Sequence, residues 1–168
     1  MNMKEEREMN YIKRENGFTL IEVLAVIIII GVLGAIVIPK LASSTANARR
    51  KADVATAHEV KTALDRYQLE TGAYPKNADL TVSDGTVECP KLIPIYISKL
   101  DKSTTQQIVP EGNKGFGVAK IAADATDPTI IPDNKTNTIM IYLFGDGLAA
   151  EVRAYDEGLA NVLWTSAN

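Results

Sequence analysis

Polar side chains all but vanish between Phe18 and Ile38, where FTLIEVLAVIIIIGVLGAIVI is interrupted by Thr19 and Glu22 alone. A helix of that run rises about 1.5 Å per residue, roughly 30 Å in all, which matches the hydrocarbon thickness of a bilayer. Beyond Pro39 the pattern changes. Val54, Ala57, Val60, Leu64 and Tyr67 recur at three- and four-residue spacing, with Asp53, Glu59, Asp65, Arg66 and Glu70 expected on other faces. The spacing predicts one helix serving two solvents, apolar all round in its first half and striped in its second. Gly72 and Pro75 supply the stop. Gly31, Gly34 and Pro39 mark a weak segment, because proline removes an amide and glycine costs up to about 1 kcal/mol relative to alanine. In lipid, where no water replaces a lost bond, the helix is expected to persist with a kink at Pro39.

After Asn77 the helical period gives way to turn residues and short apolar runs, which predict a small antiparallel β-sheet. Strands are expected at 115–122, 138–144 and 149–155, the last two joined as a hairpin through Gly145-Asp146-Gly147. Residues 92–100 read as a loop or short helical turn with apolar anchors, since Pro94 opposes a central strand. Trp164 is expected to seal the sheet edge or the helix packing. The fold class is therefore α+β: a long N-terminal helix packed on a small antiparallel sheet. Four stretches follow: a leader at 1–17, an apolar helix at 18–39, an amphipathic helix at 40–72 and a β-rich head at 73–168.

Composition adds modest constraints. The chain has 168 residues, a formal charge of −3 and a pI near 5.2, with no general basic field for a polyanion. A single cysteine, Cys89, permits no intrachain disulfide. The leader mixes acids with Lys4, Arg7, Lys13 and Arg14 and has Met1, Met3 and Met9 as alternative starts. Lys40, Arg49, Arg50 and Lys51 balance it across the apolar run, so flanking charge assigns no orientation. The Arg49-Arg50-Lys51 run reads as a solvated helix face near lipid headgroups, with salt bridges to a neighbouring subunit as the alternative. His58 reads as a solvated helix residue, because no second histidine exists to share a metal.

Glu22 asks for a partner. A carboxylate inside an apolar run costs on the order of 2–4 kcal/mol unless paired, and the nearest candidate is an α-amino group made by cutting between Gly17 and Phe18. Gly17-Phe18-Thr19-Leu20-Ile21-Glu22, followed by an apolar run ending in Pro39, resembles the prepilin-type N-terminus of type IV pilins and type II secretion pseudopilins. The resemblance is strong from Gly17 to about Arg50, fair through Tyr74-Pro75 and weak beyond.

That resemblance implies cleavage after Gly17 by a membrane-embedded prepilin peptidase and N-methylation of Phe18. It implies insertion in lipid with the leader in the cytoplasm and the head outside. A membrane assembly platform with its ATPase motor would then extract the subunit into a filament of itself or of mixed pilins. Glu22 would pair with a neighbour's amine, and the segment from Gly31 to Pro39 would melt on assembly. The leading expectation is a structural subunit of a type IV pilus; the alternative is a pseudopilin of type II secretion or of a DNA-uptake apparatus. A single-pass membrane-anchored binding protein is the second alternative.

The remaining chemistry is sparse. Asp124, Asp127 and Asp133, with Asn134, could hold calcium, as secretion pseudopilins do in their C-terminal region, but they match no fixed ligand spacing. Asp146 and Asp156 are no better placed. Nucleic acid is a partner that is not favoured; it would need Lys91, Lys99, Lys102, Lys114 and Lys120 gathered beside aromatics. No hydrolase, zincin or Walker motif is present, so the chain is expected to be acted on by an enzyme, without being one.

Overall fold

The computed structural model describes residues 17–121, 134–145 and 147–167. It divides into two compact units, Met1–Ala42 and Ser43–Asn168, and a single helix, α1 (Leu20–Thr71), runs through the boundary. Helical assignment continues through Gly31, Gly34 and Pro39.

In the first unit every large apolar side chain from Phe18 to Leu41 is more than half exposed, and α1 is long and apolar enough to cross a membrane. The described residues offer them no core. The expected 30 Å apolar rod is therefore present, with its burial left to another medium.

The second unit buries its stripe. Ala57, Val60, Ala63 and Leu64 are fully or almost fully buried, with Val54 and Tyr67 packed against them. α1 ends as expected: Gly72 takes a φ of +87° and its N–H donates to the Gln68 carbonyl at 2.8 Å, the left-handed cap that glycine adopts without strain. Asp53 departs from expectation. It lies on the buried stripe, one turn before Ala57, and is fully buried.

Among the described residues six strands follow: β1 (Thr81–Ser83), β2 (Thr86–Glu88), β3 (Phe116–Ile121), β4 (Ile139–Phe144), β5 (Ala150–Tyr155) and β6 (Val162–Thr165). β1 and β2 form a separate antiparallel hairpin, and the main sheet has the order β3-β4-β5-β6. The α+β class holds, but the sheet is mixed. β4–β5 and β5–β6 are antiparallel as expected, whereas β3 and β4 run parallel, Phe116 opposite Ile139 and Ile121 opposite Phe144. A parallel pair needs a crossover of a dozen or more residues, and the chain between Ile121 and Ile139 is long enough to supply one.

The sheet is buried on both faces. Phe116, Ile139, Ile141, Leu143, Val152 and Ala154 share a core with α1, while Ala119, Ile121, Met140, Tyr142, Tyr155 and Leu159 form a second cluster. This is why β4 reads as an unbroken apolar run, IMIYLF. Residues 92–100 are turns anchored by buried Leu92 and Leu100.

Two elements escaped the sequence reading. β1–β2 is a two-residue hairpin whose turn residues, Asp84 and Gly85, have φ of 48° and 71°, and the Asp-Gly pair between TVS and TVE was its signal. A Cβ at Gly85 would also lie 2.1 Å from the Lys114 carbonyl oxygen, so glycine is required twice over. β6 is a short edge strand whose alternation is too brief to stand out; Trp164 lies on it, opposite Ala154, and packs on the α1 core.

Candidate processing and assembly site

Residues 17–19 precede the helix and are exposed, with Phe18 at 89%. A Cβ built on Gly17 meets nothing within 4 Å. The Gly17–Phe18 bond is thus accessible and non-helical, the condition a protease needs to draw a substrate into its cleft.

Thr19 caps α1, and Glu22 closes the cap. The Glu22 N–H donates to Thr19 Oγ1 at 3.3 Å, while Glu22 Oε2 accepts from Thr19 N at 2.8 Å and from Thr19 Oγ1 at 2.9 Å. This reciprocal arrangement is a capping box, and Thr-x-x-Glu was the unread signal for it. Glu22 therefore has a local partner before any cut is made. Its second oxygen, Oε1, accepts no bond from the described residues, which leaves one side of the carboxylate open to an amine. Phe18, Glu22, Val23, Val26 and Ile27 line one apolar groove along this face.

Further along α1, the head is tied on by polar contacts that the periodicity concealed. Asp53 accepts from the backbone N–H of Gln106 at 2.5 Å, from that of Gln107 at 3.3 Å and from Gln107 Nε2 at 2.9 Å. Gln107 Nε2 also donates to the Tyr155 carbonyl at 2.9 Å, so one buried amide joins α1, the 105–107 segment and β5. Arg50 corrects the reading of the basic run as solvated: its Nε and Nη2 donate to the Glu157 carboxylate at 2.6–2.9 Å. That guanidinium holds the Glu157 carboxyl below its ordinary range. His58, exposed as expected, nonetheless has a ring partner, with the Trp164 centroid 3.9 Å away.

Three of the five lysines considered for nucleic acid are engaged in ion pairs. Lys91 pairs with Asp79 at 2.8 Å, Lys99 with Asp101 at 3.1 Å, and Lys102 with Asp84 at 2.7 Å and Glu111 at 2.8 Å. These bonds push the Lys102 ammonium up and, through Lys91, the Asp79 carboxyl down. Asp101 is lowered first by the hydrogen bond from Ser103.

Asp124, Asp127, Asp133 and Asp146 lie outside the described residues. Among the described residues no group of three acids, histidines or cysteines is placed to hold a metal. Asp156 spends its oxygens on its own loop, accepting from Ala160 N at 2.8 Å and Asn161 Nδ2 at 2.6 Å.

Comparison with known proteins bears on this N-terminal stretch through a family model. Residues 12–38 match the family model described as the prokaryotic N-terminal methylation motif. The chain is 40% identical over 62 residues to a type II secretion system core protein G of Pectobacterium carotovorum subsp. carotovorum, covering 37% of this chain and 40% of that protein. It is 37% identical over 83 residues to the core protein G of Escherichia coli (strain K12), covering 49% of this chain and 55% of that one. The chain thus spans about half the length of the curated relatives it matches or less. No solved structure matches. The exposed Gly17–Phe18 bond and the capped apolar helix with Glu22 in its first turn thus lie in or beside a segment that matches the prokaryotic N-terminal methylation motif, in a chain similar over part of its length to type II secretion system core proteins G.

Proposed function

We propose that this chain is a pseudopilin: a filament subunit, itself without catalytic activity, cut between Gly17 and Phe18 and N-methylated at Phe18. The observation that carries this reading is the match of residues 12–38 to the methylation motif together with the similarity of part of the chain to type II secretion core proteins. It shifts the balance of the sequence expectation, since relatives of the secretion class favour the pseudopilin over the surface pilus.

The assembly step follows from the exposed rod. Before assembly, lipid covers the side chains from Phe18 to Leu41; in a filament, neighbouring copies of α1 or of related pilins take its place, burying residues such as Leu24, Val26 and Ile28. Cleavage creates a Phe18 ammonium. In a dry filament core, leaving either that amine or Glu22 single is costly, so Glu22 Oε1 and a neighbour's Phe18 amine fix the register. Nothing in the free chain demands glycine at 17, where a Cβ has open space, so the requirement would be imposed by the cleft of the prepilin peptidase. The assembly platform and its motor supply extraction from the membrane, with the head outside the cytoplasm. Calcium would rest on the acids of the β3–β4 connection, and the ion pairs of Lys91, Lys99 and Lys102 weigh against a nucleic-acid role for those three.

The deciding experiment compares wild type with Glu22→Ala in the native host. The mutant is expected to be processed normally, to fail to enter filaments and to abolish secretion of exported proteins. Wild-type assembly by Glu22→Ala would overturn the register role. Secretion that persists without the gene, alongside lost surface filaments, would restore the pilus reading.

A further inference from the structure

The chain has one histidine and one tryptophan, and the fold brings them together. His58 sits on the exposed side of α1 and Trp164 on the edge strand β6, with ring centroids 3.9 Å apart and planes tilted by 38°. Trp164 also packs against the α1 core, so this contact forms part of the seam between helix and sheet. β6 is a short edge strand held by β5 on one side, with a register irregularity at Ala154/Tyr155. Beyond its ladder with β5, the Trp164 contacts with the α1 side add to its anchorage.

Histidine is the side chain that ordinarily changes charge between pH 5 and 8. A neutral imidazole gains mainly contact area from an indole face, whereas an imidazolium is also attracted by the ring quadrupole, most strongly for tryptophan. We propose that His58 and Trp164 form a proton-operated clasp between α1 and β6, tightening when the imidazole takes up a proton and loosening when it gives it up.

α1 contributes Glu59 and Arg66, which line the same groove as His58, and Lys61, one turn on, which is bonded to Asp65 and to the Tyr74 hydroxyl. The 92–98 segment contributes Tyr96, whose hydroxyl is engaged by Glu70 at 2.6 Å. β6 itself, VLWT, carries no charge. On β5, Glu151 and Arg153 pair with each other and lie on the opposite sheet face from Trp164, Arg153 stacking over Tyr142. The clasp is independent of the filament reading and concerns the head alone.

The test uses the full chain in detergent micelles. Trp164 emission is expected to fall along a single-proton curve between pH 8 and 5, because an imidazolium quenches an adjacent indole, and His58→Gln should abolish the step. Amide protection of residues 163–165, normalised to β4 and corrected for intrinsic exchange, should rise about two- to five-fold over the same range in wild type. It should stay flat in His58→Gln and remain at the high value throughout in His58→Lys. An emission step that survives His58→Gln overturns the proposal. So does an emission change with no change in β6 protection, since that result describes proximity without a clasp.

Discussion

The two units of this chain treat apolar side chains in opposite ways. From Phe18 to Leu41 they are all more than half exposed, while between Ala57 and Leu64 the same helix buries its stripe under a sheet. The head closes its own core, and the rod does not. On the proposed function, what covers the rod is lipid first and other copies afterwards, and a substitution should then act on assembly in one half and on folding in the other.

The sharpest way to break that contrast is to place a charge on the rod. Ile28→Lys at the middle of the apolar run should cost about 2.5–3.5 kcal/mol of membrane insertion, removing the subunit from membranes and filaments alike. The thermal unfolding of whatever head is recovered should be unchanged, as read by tryptophan emission. In the other half, Leu64→Ala opens a cavity in a fully buried site and should lower head stability by about 2–5 kcal/mol, leaving cleavage at Gly17–Phe18 intact. Chemical denaturation reads the first effect and N-terminal mass the second.

Asp53→Ala should cost about 1–3 kcal/mol, because it strands the N–H groups of Gln106 and Gln107. Hydrogen exchange should show the loss concentrated in residues 105–107. The smallest effect is that of acid on the surface ion pairs. Asp79, Asp101 and Glu157 are held below their ordinary values of 3.8 and 4.5, so their contribution is complete above those values and fades as pH falls below them. A modest acid-side decline in melting temperature, reduced in Glu157→Gln, checks this.

The rod and its motif were legible because they depend on local chemistry: length, an apolar run, one acid and a Gly-Phe junction. The capping box was legible too, as Thr19 and Glu22 three apart, yet attention to Glu22 as a filament residue hid its local partner. The head was read in outline. Three of its strands fell where alternation and the Gly-Asp-Gly turn put them, but the parallel β3–β4 pair depends on how a long connection returns, which no periodicity records. Asp53 illustrates the same limit. As an acid it was assigned to the polar face, and what buries it is a set of backbone donors some fifty residues away in sequence.

Everything about the rod's assembly presupposes a free amine at Phe18. The most direct measurement is intact and N-terminal peptide mass spectrometry of the protein recovered from membranes of its native host with an active prepilin peptidase. A chain beginning at Phe18, carrying one extra methyl group on its N-terminus, is the predicted result. A chain that retains residues before Phe18 under those conditions would contradict the account.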